Sequence, residues 1–234
     1  MHSLGTLTNT IRQHLQRHIF GTLLNGSFFQ QAMVRPIIIS GPSGCGKSTI
    51  LARAMKEYPE AFAFSISHTT RKPRDGELDQ QHYYFVDRRE MERMIGAGQF
   101  LEHAEFGGNL YGTSKRAVDD VQSSGKICVL DVELNGVRNF KALQFDAKFV
   151  LVRPPSIEVL EQRLRQRGSE TEETIAKRLK HAKEDMEAVE KQPSLFDYVV
   201  INDILDKAYN DFLDVINPEL DALQKQKQNQ QQQQ

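Results

Sequence analysis

Gly41-Pro42-Ser43-Gly44-Cys45-Gly46-Lys47-Ser48 is the stretch that decides the fold of this chain. It matches G-x-x-x-x-G-K-[ST] at every fixed position, the pattern of a loop that wraps phosphate groups. Ile37-Ile38-Ile39-Ser40 precedes it, a short apolar run of buried-strand type. Thr49-Ile50-Leu51-Ala52-Arg53-Ala54-Met55 follows, mixing helix formers with apolar residues on one side. Strand, glycine loop and helix start form an anion cradle, because backbone N–H groups and the positive end of the helix dipole converge there. Gly41 to Ser48 is therefore a candidate nucleoside triphosphate site. In it Lys47 would reach the β/γ-phosphates and the Ser48 hydroxyl would ligand Mg2+. A glycine-rich turn without a ligand is the competing reading.

Beyond the loop, short apolar strands alternate with helices. Strands are expected at 37–40, 62–67, 83–86, 100–106, 109–111, 127–130, 147–152 and 198–201. Helices are expected at 47–57, 87–97, 115–123, 157–167, from about 170 to 190, and from 205 to near Pro218. Asp87 with Glu90, and Ser169 with Glu172, have capping-box spacing, and Gly125 marks a helix end. The pattern predicts an α/β fold, a parallel sheet covered by helices on both faces. Ser40, Asp131, Arg153 and Asn202 fall at carboxyl ends of strands, where ligands gather in such sheets. Residues 67–113 lack the long alternation and read as a small β-rich insert.

Composition sets limits. A chain of 234 residues suits one sizeable α/β domain or a core with a lid. The formal net charge of −1 gives no global pull toward nucleic acid or anionic membrane, so neither is expected as a partner. Two cysteines, Cys45 and Cys128, argue against a disulfide framework and for a reducing compartment. No apolar run approaches the ~20 residues of a membrane-spanning helix.

The two ends differ from the middle. Residues 1–32 hold Arg12 and Arg17 but no acid, and Glu57 is the first acidic residue. Leu7, Ile11, Leu15 and Ile19 make an apolar stripe. A mitochondrial transit peptide and an ordinary extension, disordered or helical, both fit. Met33 stands just before the first strand, so a cytoplasmic form starting there and a mitochondrial form starting at Met1 are expected alternatives. At the other end, the glutamine-rich residues 221–234 cannot bury a core and are expected to be disordered.

A second constellation is Ser67-His68-Thr69-Thr70-Arg71-Lys72-Pro73-Arg74-Asp75-Gly76-Glu77, followed by Tyr83. Two arginine forks, a hydroxyl and a tyrosine suit a second phosphate; a solvated basic loop is the bland reading.

At this point the chain resembles the guanylate kinases. The resemblance rests on 41–49, 67–77 with Tyr83 and Phe85, Phe100-Leu101-Glu102, Asn109-Leu110-Tyr111-Gly112-Thr113, Val129-Leu130-Asp131, Arg163-Leu164 with Arg167-Gly168, Glu170-Thr171-Glu172-Glu173, Lys177-Arg178-Leu179 and Asn202-Asp203. It spans about 35–215 and implies a P-loop NTPase-type core at 33–66, 114–154 and 192–220, a GMP-binding insert at 67–113 and a helical lid at 155–191. It implies that ATP and GMP, with dGMP as a further acceptor, are substrates of a monomer in purine metabolism. Gly41, Pro42, Ser43, Gly44, Cys45, Gly46, Lys47, Ser48, Thr49, Asn202 and Asp203 would hold ATP, and Ser48 the Mg2+, partly through water. Ser67, Arg71, Arg74, Tyr83 and Tyr111 would hold the GMP phosphate, while Glu102, Thr113 and Asp131 read guanine. Lys47, Arg74, Arg167 and Arg178 would neutralise charge during transfer. Arg163 fits either this set or surface pairing with nearby glutamates.

The chemistry agrees. A carboxylate accepts from guanine N1–H and the exocyclic amine, which adenine does not offer in that arrangement. No protein nucleophile or general base is expected, since phosphoryl transfer needs positioning and charge neutralisation. The sequence departs from the family at Gln80-Gln81-His82 and at Glu133 and Asn135. Cys45, close to loop N–H groups, either gains a lowered thiol pKa or only packs. The alternative function is a catalytically inactive, guanylate-kinase-like protein-binding module.

Overall fold

The computed structural model describes residues 34–166, 168 and 170–232. The targeting question at 1–32 lies outside these residues, as do Arg167 and Ser169.

Five parallel strands form the main sheet, in the order β2-β7-β1-β8-β9: β2 Phe62–Phe64, β7 Ile127–Asp131, β1 Ile37–Ser40, β8 Lys148–Arg153 and β9 Tyr198–Ile201. Alternate side chains of the central strands enter two separate cores, which is why these strands read as unbroken apolar runs. Ile37, Ile39, Val129, Val150 and Val152 pack with α1 (Lys47–Glu57) and α7 (Leu205–Gln232). Ile38, Cys128, Leu130, Phe149 and Leu151 pack on the other face with α3 (Lys115–Ser123) and α4 (Leu134–Ala142).

The segment after β2 forms a second, mixed sheet, β4-β3-β6-β5: Tyr84–Phe85, His68–Thr69, Asn109–Ser114 and Phe100–Phe106. Its helix α2 (Arg88–Gly96) starts at Asp87, whose carboxylate accepts the Glu90 N–H at 2.8 Å. Met91, Phe100 and Leu110 give this insert a small core of its own. Helices α5 (Ile157–Gln166) and α6 (Glu172–Lys191) pair through Leu160, Leu164, Ile175 and Ala182.

Four expectations are corrected. The strand expected at 62–67 ends at Phe64, and the chain re-enters a sheet only at His68. Helix α4 (Leu134–Ala142) was not anticipated, because Asn135-Gly136 reads as a breaker; Leu134, Val137 and Phe140 dock it on the sheet. Thr171 caps α6, which opens at Glu172, accepting the Thr174 N–H at 3.3 Å; the expected cap, Ser169, lies outside the described residues. Finally, α7 neither stops near Pro218 nor gives way to a disordered tail at 221; it runs to Gln232. Past the proline, Glu219 is buried and accepts from Arg35 N, Nε and Nη2 at 2.9, 3.1 and 2.9 Å, with Lys148 Nζ at 3.5 Å. Leu223 is buried as well, and Lys227 reaches Glu60 O at 3.2 Å. These contacts carry the helix across the proline, and glutamine and lysine are good enough helix formers to extend it. Among the described residues, no helix is long and apolar enough to cross a membrane.

Candidate active site

The phosphate loop joins β1 to α1 and has backbone angles that only glycine holds without strain. At Gly41 (φ +146°) a Cβ would sit 1.9 Å from Val152 O; at Gly46 (φ +99°) it would sit 2.1 Å from Asn202 Nδ2. The loop is thus pressed against the ends of β8 and β9. Gly46 starts α1 without a side-chain cap, and the first turn holds no acid. Such an end offers N–H groups and a positive dipole to an anion. Ser48 and Thr49 are exposed there.

Asn202, buried just after β9, donates from Nδ2 to Cys45 O at 2.8 Å. Arg163 in turn donates from Nη1 to Asn202 O at 2.7 Å and from Nη2 to Asp203 O at 3.1 Å. Among the described residues it pairs with no surface glutamate and holds the Asn202–Asp203 backbone instead. A cavity of about 370 Å³ opens here, lined by Gly44, Gly46, Thr49, Arg163, Gln166, Asn202, Asp203 and Leu205. Cys45 has no exposed surface, and burial pushes its thiol pKa up despite nearby Lys47. This overturns the lowered-pKa reading; Cys45 packs.

Lys47 stands at the centre. Its Nζ donates to Gly41 O at 2.7 Å and lies 3.7 Å from Asp131 Oδ1. Asp131 closes β7 and opens to the cleft, yet the surrounding walls raise its pKa, with Lys47 opposing. Above the loop, Arg178 of α6 contacts Ser43 Oγ and pairs with Glu170 at 2.7 Å. A cavity of about 530 Å³ lies between the loop, the start of α4 and α6, with Glu133 and Asp185 facing it. Burial raises the pKa of both carboxyls; their proximity adds to it at Glu133.

The second constellation lies on the mixed sheet. Arg71 donates from Nη1 and Nη2 to Glu77 at 2.8 and 2.9 Å. Its guanidinium carbon is 5.4 Å from the Tyr83 ring centre and 5.8 Å from that of Phe85. Tyr83 meets Tyr111 edge-on at 6.2 Å. Thr113, 1% exposed, donates from its hydroxyl to Glu102 Oε1 at 2.8 Å. Burial raises the Glu102 pKa and the Thr113 hydrogen bond holds it down in part. Ser67 lies at the foot of β3, where its carbonyl accepts the Tyr84 N–H at 2.9 Å. The Arg74 side chain is exposed, and its backbone N–H, not its guanidinium, joins the cluster through Glu77.

The atypical turn at Gln80-Gln81-His82 has a local account. Gln80 takes φ +61° and donates its N–H to Tyr83 O at 2.8 Å, while His82 Nδ1 accepts the Leu78 N–H at 3.0 Å.

The phosphate-loop cluster and the mixed-sheet cluster meet at Asp131, whose charge acts on Lys47 and on Tyr83. The sequence profile of the guanylate kinase family matches residues 33–219. The chain belongs to the guanylate kinase family. It is 56% identical over 190 residues to a guanylate kinase of Sus scrofa, covering 81% of this chain and 96% of that one. It is 56% identical over 191 residues to a guanylate kinase of Homo sapiens, covering 82% and 96%. The crystal structure of the guanylate kinase from Anaplasma phagocytophilum superposes with a TM-score of 0.58 at 27% identity, covering 80% of this chain and 87% of that one. As a guanylate kinase the chain has an unbroken phosphate loop.

Glu77 and Asn202's loop contact escaped the site reading. Glu77 had one sequence signal, an acid closing a basic run; the reach from Asn202 to Cys45 crosses 157 positions and had none.

Proposed function

We propose that this guanylate kinase transfers the γ-phosphoryl group of ATP to GMP, giving ADP and GDP. The observation that carries this reading is the position of Lys47, held between an uncapped helix start on one side and Asp131 on the other. ATP lies with its phosphates in the loop at Gly41–Thr49 and its base in the cavity beside Asn202 and Asp203. GMP lies on the mixed sheet, its phosphate among Ser67, Arg71, Arg74, Tyr83 and Tyr111. Glu102, Thr113 and Asp131 accept from and donate to its guanine. A GMP phosphate oxygen attacks the γ-phosphorus, and Lys47, with Arg178, Arg167 and Arg74, offsets the charge that spreads over the transferred group. The exposed Ser48 hydroxyl at the loop mouth is of the oxygen type that would hold Mg2+, which would supply neutralisation of the ATP phosphate charge. Helix α6 lies over the loop, where Arg178 reaches Ser43, and its closure on bound nucleotides would exclude water from the transfer.

The protein-binding alternative is disfavoured by the unbroken loop, since function follows the site and not the fold. A coupled ADP-release assay across GMP, dGMP, AMP, CMP and UMP tests the proposal. ADP release is expected with GMP and dGMP alone; equal rates with AMP would overturn the guanine reading, and silence with every acceptor would overturn phosphoryl transfer. We further infer a monomer in the cytoplasm when translation starts at Met33 and a mitochondrial form when it starts at Met1. Imaging a reporter fused to residues 1–32 checks the latter, and diffuse signal would refute it.

A further inference from the structure

We propose that Glu77 is a positioning residue for the acceptor phosphate: it fixes one edge of the Arg71 guanidinium so that the other edge is presented to the ligand. This rests on the reading of Arg71 as a phosphate-binding residue. A guanidinium has five N–H donors, two on each Nη and one on Nε. Nη1 spends one on Lys72 O at 2.8 Å and one on Glu77 Oε2 at 2.8 Å. Nη2 spends one on Glu77 Oε1 at 2.9 Å. Neither Lys72 nor Glu77 takes the parallel Nε–H and Nη2–H pair, a fork that matches two oxygens of a phosphate and that the Tyr111 hydroxyl, hydrogen-bonded to the same guanidinium, borders.

Three further features hold the fork in place. The guanidinium sits against the Tyr83 and Phe85 rings, and the Tyr111 hydroxyl acts on it. Glu77 is itself fixed, because Oε2 also accepts the Arg74 N–H at 2.8 Å and the Glu77 N–H bonds back to Arg74 O at 3.0 Å. The arginine partners pull the Glu77 carboxyl to a pKa of about 2, so it stays charged at any working pH. A long side chain that would otherwise sample many rotamers is thus pre-set before the phosphate arrives.

Glu77→Gln keeps the shape but turns an amide N–H toward a guanidinium N–H. The assay is calorimetric binding of GMP and of guanosine, with KM and kcat for both substrates. Glu77→Gln should weaken GMP binding and raise its KM about tenfold, the scale of one charged hydrogen bond. Guanosine binding, the KM for ATP and kcat should stay within about twofold, and Glu77→Asp should restore part of the loss. In an Arg71→Ala background Glu77→Gln should cost nothing further, since the two act as one unit. Unchanged GMP binding in Glu77→Gln, while Arg71→Ala weakens it, would overturn the positioning role alone. Unchanged GMP binding in Arg71→Ala would overturn the underlying phosphate assignment. Parallel loss of guanosine and GMP binding would mark Glu77 as merely structural and overturn the proposal.

Discussion

Asn202 holds the phosphate loop by a single donated hydrogen bond, and reversing its polarity without changing its shape isolates that contact. In Asn202→Ala the Cys45 carbonyl loses its 2.8 Å donor in a buried setting. An orphaned buried acceptor costs about 1–3 kcal/mol. For a domain of this size, 2 kcal/mol lowers Tm by about 4–8 °C. In Asn202→Asp an acceptor replaces the donor and faces Cys45 O directly. The ionised form then loses the hydrogen bond and adds repulsion, so its loss should equal or exceed that of the alanine variant. The sign with pH follows. Burial beside a carbonyl raises the folded-state pKa of the new carboxyl above its unfolded value. Its protonated form donates as the amide did, so the deficit is small at low pH and grows as pH rises through the folded-state pKa. Urea unfolding at pH 5 and pH 8 on wild type and both variants measures this. KM for ATP should rise about tenfold in Asn202→Ala, and that for GMP should not change. A pH-independent loss in Asn202→Asp, matching that of Asn202→Ala, would refute the donor role of the amide.

The remaining predictions concern the two half-sites. Lys47→Ala should lower kcat by about 10²–10³-fold, the scale for removing one preorganised charge partner, with GMP affinity by calorimetry intact; wild-type kcat would contradict the loop assignment. Glu102 reads guanine only when ionised, and its pKa is raised by burial. Its protonation on acidification should therefore raise KM for GMP at a higher pH than an ordinary glutamate would, leaving KM for ATP unmoved in the same titration. Glu102→Ala should abolish that pH dependence and narrow the preference for GMP over AMP; unchanged selectivity would remove Glu102 from base reading.

What the sequence made legible was whatever a contiguous segment decides by itself. Ile37 to Met55 carries strand, loop and helix start in one run, and the covered parallel sheet follows because its strands are apolar on both faces. Helix ends were less legible, because they are settled by contacts and not by local preference. Pro218 is a stop signal on its own, yet buried Glu219, with its partners Arg35 and Lys148, and buried Leu223 hold the next turns in place. Asn135-Gly136 reads as a turn until Val137 and Phe140 find the sheet.

The site divides along the same line. Residues that touch ligand chemistry stand out by type, as arginines, a lysine and acids in dense motifs. Residues that aim them do so across the fold: Arg163 onto the backbone after β9, Asn202 onto the loop, Thr113 onto Glu102. Each supplies one hydrogen bond or two to a partner on another element, and although the motifs single out all three residues, nothing in their neighbourhoods announces these partners. Glu77 is the intermediate case, six positions from Arg71 and within its motif, and still of the wrong charge for the role the motif suggests. A carboxylate inside a phosphate-binding run makes sense only once the arginine's five donors are counted, three spent on Lys72 and Glu77 and two left on the edge beside Tyr111.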